Sequence, residues 1–201
     1  VNGTPRLSFY CHRAPCCTSA VGATWWYPKT AAYSHEPRTA GHTSTEEGLA
    51  QGWDAIKRYW ASPTPENRAA LSDFPTPASV KWQYLEGVPD TQRVSPDGYT
   101  LEGLHVSRPG NAEIQLDLVL NYASNVRNYP RFQAYFREKQ PPLLAVWGKH
   151  DPYFLPVGAE AWKRDIPDAD IRFYDTGHFA LETHGQEIIP VIRGFLEQNM
   201  Q

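Results

Sequence analysis

The spacing of apolar side chains changes twice along this chain. Up to about residue 43, Pro, Thr, Arg, Trp and Cys are mixed with no sustained period of strand or helix. Only Val21 to Trp26 reads there as a short strand, and the rest is expected to be a poorly ordered N-terminal segment. From Ser44 the period becomes helical. Leu49, Trp53, Ile56 and Trp60 form one stripe behind Ser44-Thr45-Glu46-Glu47, in which Ser44 can cap and Glu47 can reach back from N3. Thr64-Pro65 and Thr76-Pro77 predict two further helix starts, since threonine accepts an orphan N–H and proline at N1 gives up a donor the helix does not use. The second of these helices carries Val80, Trp82, Tyr84 and Leu85 and stops near Gly87. Ser95-Pro96-Asp97-Gly98 reads as a turn. Asn111 predicts the cap of a longer helix holding Ile114, Leu118, Val119 and Tyr122, and Pro130 the start of another with Phe132, Tyr135 and Phe136.

Beyond Pro141-Pro142 the pattern changes again. Leu143-Leu144-Ala145-Val146-Trp147 is an unbroken apolar run, as expected of a strand buried on both faces. A short helix around Val157 to Lys163, a second strand Ile171-Arg172-Phe173-Tyr174 and a closing amphipathic helix with Ile188, Ile192 and Phe195 on one face follow. Pro190 is expected to kink that helix or confine its start to a frayed turn. The order strand, helix, strand, helix predicts a right-handed parallel β-α-β-α unit. The class is therefore α/β, with boundaries at 1–43, 44–138 and 139–201.

Composition narrows the function classes. A length of 201 residues suits one domain with an inserted subdomain, and 41% hydrophobic residues can build a core. A net charge of −3 with no basic run gives no reason to expect nucleic acid or a membrane surface as partner. No apolar stretch approaches the length of a membrane span, and no signal-peptide pattern is readable, so the cytoplasm is the default expectation. The chain begins at Val1, which suggests a fragment or a processed product. Cys11, Cys16 and Cys17 are the only cysteines, all in the first tenth of the chain, which is no disulfide framework. With His12 they make a poor zinc site, since adjacent cysteines suit a tetrahedral ion badly, and neither metal nor other cofactor is expected.

The candidate chemistry lies in the last third. Gly148-Lys149-His150-Asp151-Pro152 follows the first strand of the parallel unit, and Asp175-Thr176-Gly177-His178-Phe179-Ala180-Leu181-Glu182 follows the second. Asp151 lies four residues past Trp147, and His178 four past Tyr174. Open parallel sheets present ligand sites at the carboxyl ends of their strands, so both side chains are expected at one edge. A carboxylate beside an imidazole fixes its tautomer and stabilises the cation formed when it takes a proton.

In these stretches the chain resembles α/β-hydrolases of the haloalkane dehalogenase and epoxide hydrolase group. The resemblance runs from about Ser44 to Leu196, roughly three quarters of the chain, and covers that group's helical lid and C-terminal part. It implies a partial α/β-hydrolase fold, with Asp151 as acid and His178 as base. The implied activity is hydrolysis of a small apolar epoxide, haloalkane or ester, with a small-molecule substrate as the partner. Lid tyrosines bind substrate in epoxide hydrolases, and of the aromatic residues Trp53, Tyr59, Trp60, Trp82, Tyr84, Tyr99 and Tyr122, the candidates are Tyr84 and Tyr122. The nucleophile elbow has no counterpart: neither Gly-x-Ser-x-Gly nor Gly-x-Asp-x-Gly occurs. Two expectations follow: a truncated or mis-joined product that lacks the nucleophile, or a non-catalytic protein acting as a small-molecule binder or interaction module. A sheet of two or three strands is also expected to self-associate through its unpaired edges.

Overall fold

The computed structural model of the chain describes residues 23–26 and 48–199. Its three strands are β1 (Ala23–Trp26), β2 (Leu143–Gly148) and β3 (Asp170–Tyr174), in the order β1-β2-β3. β2 and β3 are parallel, as their crossover helices require. β1 runs antiparallel to β2, with Ala23 opposite Val146, so the sheet is mixed. β1 falls within the Val21 to Trp26 stretch that reads as a strand, and the rest of the expected N-terminal arm lies outside the described residues.

Every residue of β2 is buried, and the alternation of its side chains explains why. Leu144 and Val146 face Ala180 and Ile188 of the last helix, α8 (Ala180–Asn199). Leu143 and Ala145 face Trp162, Ile166 and Ala169 from the crossover. Trp147 enters the largest apolar cluster, with Leu49, Trp53, Ile56, Leu116, Val119, Tyr122 and Phe154. The sheet and the helical layer thus share one core. Ile188 is fully buried in the separate cluster between β2 and α8, and Ile188→Ala is expected to cost about 2–5 kcal/mol in chemical denaturation.

The helical layer holds α1 (Asp54–Ala61), α2 (Pro65–Ala69), α3 (Pro77–Leu85), α4 (Pro96–Val106) and α5 (Asn111–Lys139). The threonine–proline starts appear as the sequence predicts. Thr64 accepts from the Asn67 N–H at 3.3 Å and Thr76 from the Ser79 N–H at 3.2 Å. Thr76→Ala is expected to cost about 1 kcal/mol, read by the same denaturation experiment.

Several local expectations are corrected. The capping box at Ser44 lies outside the described residues, and the stripe from Leu49 is not one helix. Leu49 forms an antiparallel bridge with Phe154, a 3-10 turn covers Gln51–Trp53, and the α-helix begins only at Asp54. The stripe recurs because Leu49, Trp53 and Ile56 bury into the same cluster by different local geometries. Ser95-Pro96-Asp97-Gly98 is not a free turn but the start of α4, where Ser95 accepts from the Asp97 N–H at 3.3 Å. Turn and helix N-terminus use the same residues, so local sequence does not separate them. Asn111 is the first residue of α5 rather than its cap, which is Gly110. Pro130 begins no helix, since α5 runs through it for 29 residues. Packing holds both halves: Leu116, Val119 and Tyr122 bury before the proline, while Tyr129 buries beside it and Phe136 packs against Trp162 beyond it. The single crossover helix is two, α6 (Pro156–Glu160) and α7 (Trp162–Asp165). In α8 the break is at His184, with φ −121° and ψ 22°, and Pro190 lies within the longer helical part beyond it.

Candidate active site

The register of β2 and β3 sets the site. Gly148 pairs with Tyr174, so the two strands end level and their following loops leave the same edge. Backbone bonds then fasten the loops together. The Lys149 N–H donates to the Tyr174 carbonyl at 2.9 Å, and the His150 N–H to the Thr176 carbonyl at 3.0 Å. Outside them His150 Nε2 lies 2.8 Å from Asp175 Oδ1, an exposed contact between the same two loops.

Asp151 and His178, chosen from sequence, are brought together. His178 Nδ1 is 2.8 Å from Asp151 Oδ2, with side-chain exposures of only 5% and 3%. The other carboxylate oxygen accepts from the Tyr153 N–H at 2.8 Å and the Phe154 N–H at 2.9 Å. These bonds fix the carboxylate plane before it meets the imidazole. A carboxylate only accepts, so Nδ1 carries the proton and a neutral ring keeps its lone pair on Nε2. Among the described residues no hydrogen bond engages Nε2. The ring is thus arranged to take a proton at Nε2 while the buried carboxylate steadies the resulting charge.

The loop after Asp151 is held from a distant part of the chain. The Ala50 N–H and the Trp53 indole both donate to the Tyr153 carbonyl, at 3.0 and 3.1 Å. The Leu155 N–H donates to the Gly48 carbonyl at 2.8 Å, and the Trp147 indole to the Phe154 carbonyl at 2.8 Å. The result is an aromatic cage. Phe154 lies nearly parallel to the His178 ring at 5.8 Å, while Tyr153 and Phe179 meet it steeply at 5.3 and 5.0 Å. Trp82 of α3 meets Tyr153 edge-on at 5.5 Å.

Tyr84 and Tyr122 are placed differently from each other. Tyr84 stacks on Phe179 at 3.9 Å, next to the histidine, and its hydroxyl lies 3.0 Å from a Glu102 carboxylate oxygen. Tyr122 is buried in the main cluster, near-parallel to Trp60 at 6.0 Å and tilted against Trp53 at 5.6 Å. The tyrosine in direct contact with the imidazole is Tyr153, which the sequence reading passed over. Its position two residues after the acid was the available signal.

α3 closes over the loops. Gly87 takes φ 73°, a conformation that favours glycine, and its neighbour Glu86 presents a carbonyl to Gly177. A Cβ at Gly177 would overlap that carbonyl, and one at Gly148 would overlap the Gly177 carbonyl. The backbones therefore approach more closely than any other residue type permits.

Among the described residues no group of three or more His, Cys, Asp or Glu side chains is placed to hold a metal ion. Cys11, His12, Cys16 and Cys17 lie outside them. Among the same residues no helix is long and apolar enough to cross a membrane.

An acid and an imidazole thus meet at the carboxyl ends of the two parallel strands, beneath a helical layer. A family model for the alpha/beta hydrolase fold matches residues 26–185, and the chain belongs to this family. An uncharacterized hydrolase of Saccharomyces cerevisiae is 38% identical over 165 residues, covering 80% of this chain and 57% of that protein. A cis-3-alkyl-4-alkyloxetan-2-one decarboxylase of Xanthomonas campestris pv. campestris is 34% identical over 59 residues, 29% of this chain and 20% of that enzyme. Among solved structures, Est816, described as an N-acyl homoserine lactone degrading enzyme, superposes with a TM-score of 0.50 at 19% identity. The match covers 76% of this chain and 54% of that one, and shows the shared fold. This chain thus spans little more than half the length of the yeast relative, and less of the bacterial one.

Proposed function

We propose that this chain supplies the lid and the acid–base half of a hydrolase acting on a small apolar epoxide, haloalkane or ester. In this reading residues 44–138 are the lid and 139–201 the C-terminal part of the core. His178 is the general base and Asp151 the acid that orients it. Tyr84 and Tyr122 contact substrate. The observation that carries the reading is the buried 2.8 Å contact between His178 Nδ1 and Asp151 Oδ2 at the strand ends.

The chemistry follows from that pair. A nucleophile, for which this sequence shows no elbow motif, attacks the substrate carbon and breaks its bond to the halide, the epoxide oxygen or the ester alcohol. That group is released as halide, ring-opened alkoxide or alcohol. His178 then takes a proton from the water that attacks the covalent ester, freeing the product and the nucleophile. The aromatic walls contributed by Tyr153, Phe154 and Phe179 favour an apolar substrate and exclude competing water.

The test is a turnover screen of the natural product that contains these residues, against one epoxide, one haloalkane and one short-chain ester. Turnover of one class, reduced in Tyr84→Phe or Tyr122→Phe through KM or kcat, supports the reading. Saturable binding of all three without turnover would move the chain to a small-molecule-binding role. The open edge of β3, unpaired among the described residues, is proposed as the route of any self-association, read by sedimentation of the same preparation.

A further inference from the structure

His178 is flanked in sequence by two buried threonines, Thr176 and Thr183. Thr176 Oγ1 lies 2.7 Å from Thr183 Oγ1, and both side chains are buried, Thr176 completely. Thr183 Oγ1 also lies 2.9 Å from His184 Nδ1 and 3.4 Å from the Ala180 carbonyl oxygen. One hydroxyl offers one proton and two lone pairs, so these three neighbours use the Thr183 group fully. A consistent arrangement has Thr183 donating to the Ala180 carbonyl while Thr176 and His184 Nδ1–H donate to it.

The bond lies where the backbone is locally weak. The non-helical His184 separates Ala180–Thr183, a single turn, from the rest of α8. One helical turn has no stability of its own and needs a tertiary anchor. The Thr176–Thr183 bond supplies one, closing residues 177–182 into a ring fastened to the end of β3. His178 sits within that ring. The Thr176 carbonyl meanwhile accepts the N–H of His150, the residue before Asp151. Thr176 thus ties together the loops of the acid and of the histidine, with its hydroxyl on one and its carbonyl on the other.

We propose that Thr183 is a positioning residue for His178, holding the imidazole against Asp151 through its hydroxyl bond to Thr176. The inference deepens the hydrolase reading and takes from it the role of His178. Its test does not require turnover, so the two fail separately.

The measurement is the exchange rate of the His178 Nδ1 proton by NMR, in the wild-type chain and in Thr183→Val, Thr183→Ser and Thr176→Val. Thr183→Val keeps the shape but removes the hydroxyl. It is expected to speed exchange about tenfold, the factor set by losing one hydrogen bond of average net strength. The backbone amides of Leu144, Ala145, Val146 and Trp147 are expected to keep their wild-type rates, which separates local loosening from global destabilisation. Thr176→Val, which removes the same bond from the other side, is expected to match, and Thr183→Ser to restore slow exchange. Wild-type exchange in folded Thr183→Val overturns the proposal. So does equal acceleration at the β2 amides, or loss of the folded state in both valine variants, because each assigns the bond a global role.

Discussion

Replacing His178 with glutamine is expected to lower turnover of the natural product carrying this site by a factor on the order of 10⁴, while leaving the fold in place. The two halves of that expectation have different causes. In the proposed reading, catalysis depends on a group that takes a proton at Nε2 and later returns it, which an amide does not do. Stability depends on whether buried Asp151 keeps its partners. The Tyr153 and Phe154 N–H groups hold one carboxylate oxygen in either case. A glutamine amide can donate to the other, so the carboxylate is not stranded. Alanine offers no donor, and leaving a buried carboxylate oxygen without its hydrogen bond costs about 1–3 kcal/mol or more. His178→Gln is therefore the informative variant, and His178→Ala is expected to lose both activity and stability. Steady-state kinetics beside a denaturation curve check this. If His178→Gln turns over within about tenfold of wild type, the imidazole is not the base.

The second large effect is on folding. Gly177→Ala is expected to destabilise the protein by about 3 kcal/mol or more, at the upper end of overpacking costs. The added Cβ meets the carbonyl oxygen of Glu86 with the backbone of Gly87 beside it, and no side-chain rotation relieves that overlap. Relief requires α3 to move away from the loop bearing His178. The stack of Tyr84 on Phe179 at 3.9 Å belongs to the same contact and would open with it. Gly194→Ala is the matched control, because a Cβ there meets nothing within 4 Å in the middle of α8. It is expected to stabilise by up to about 1 kcal/mol through helix propensity. Chemical denaturation of both variants reads the difference. Equal midpoints for Gly177→Ala and wild type would show that α3 does not rest on the loop as described.

The threonine–proline starts of α2 and α3, the apolar run of β2 and the positions of Asp151 and His178 after consecutive strands were legible in the sequence. Each is written within a few residues: a hydroxyl three positions before the N–H it caps, or a chemical group a few residues past a buried strand. The sequence alone determined which residues carry the candidate chemistry and the family to which the chain belongs. Tertiary structure decided the rest. The bond from the Trp53 indole to the Tyr153 carbonyl spans 100 positions, and no local pattern contains it. That bond and the Leu49–Phe154 bridge place Tyr153 and Phe154 around the imidazole. Burial on both sides of Pro130 kept α5 in one piece where propensity predicted two helices, because the apolar surface covered by both halves outweighs one missing backbone donor. The tight seating of Glu86 and Gly87 on Gly177 joins segments about 90 residues apart, and only the folded chain shows why that glycine is there.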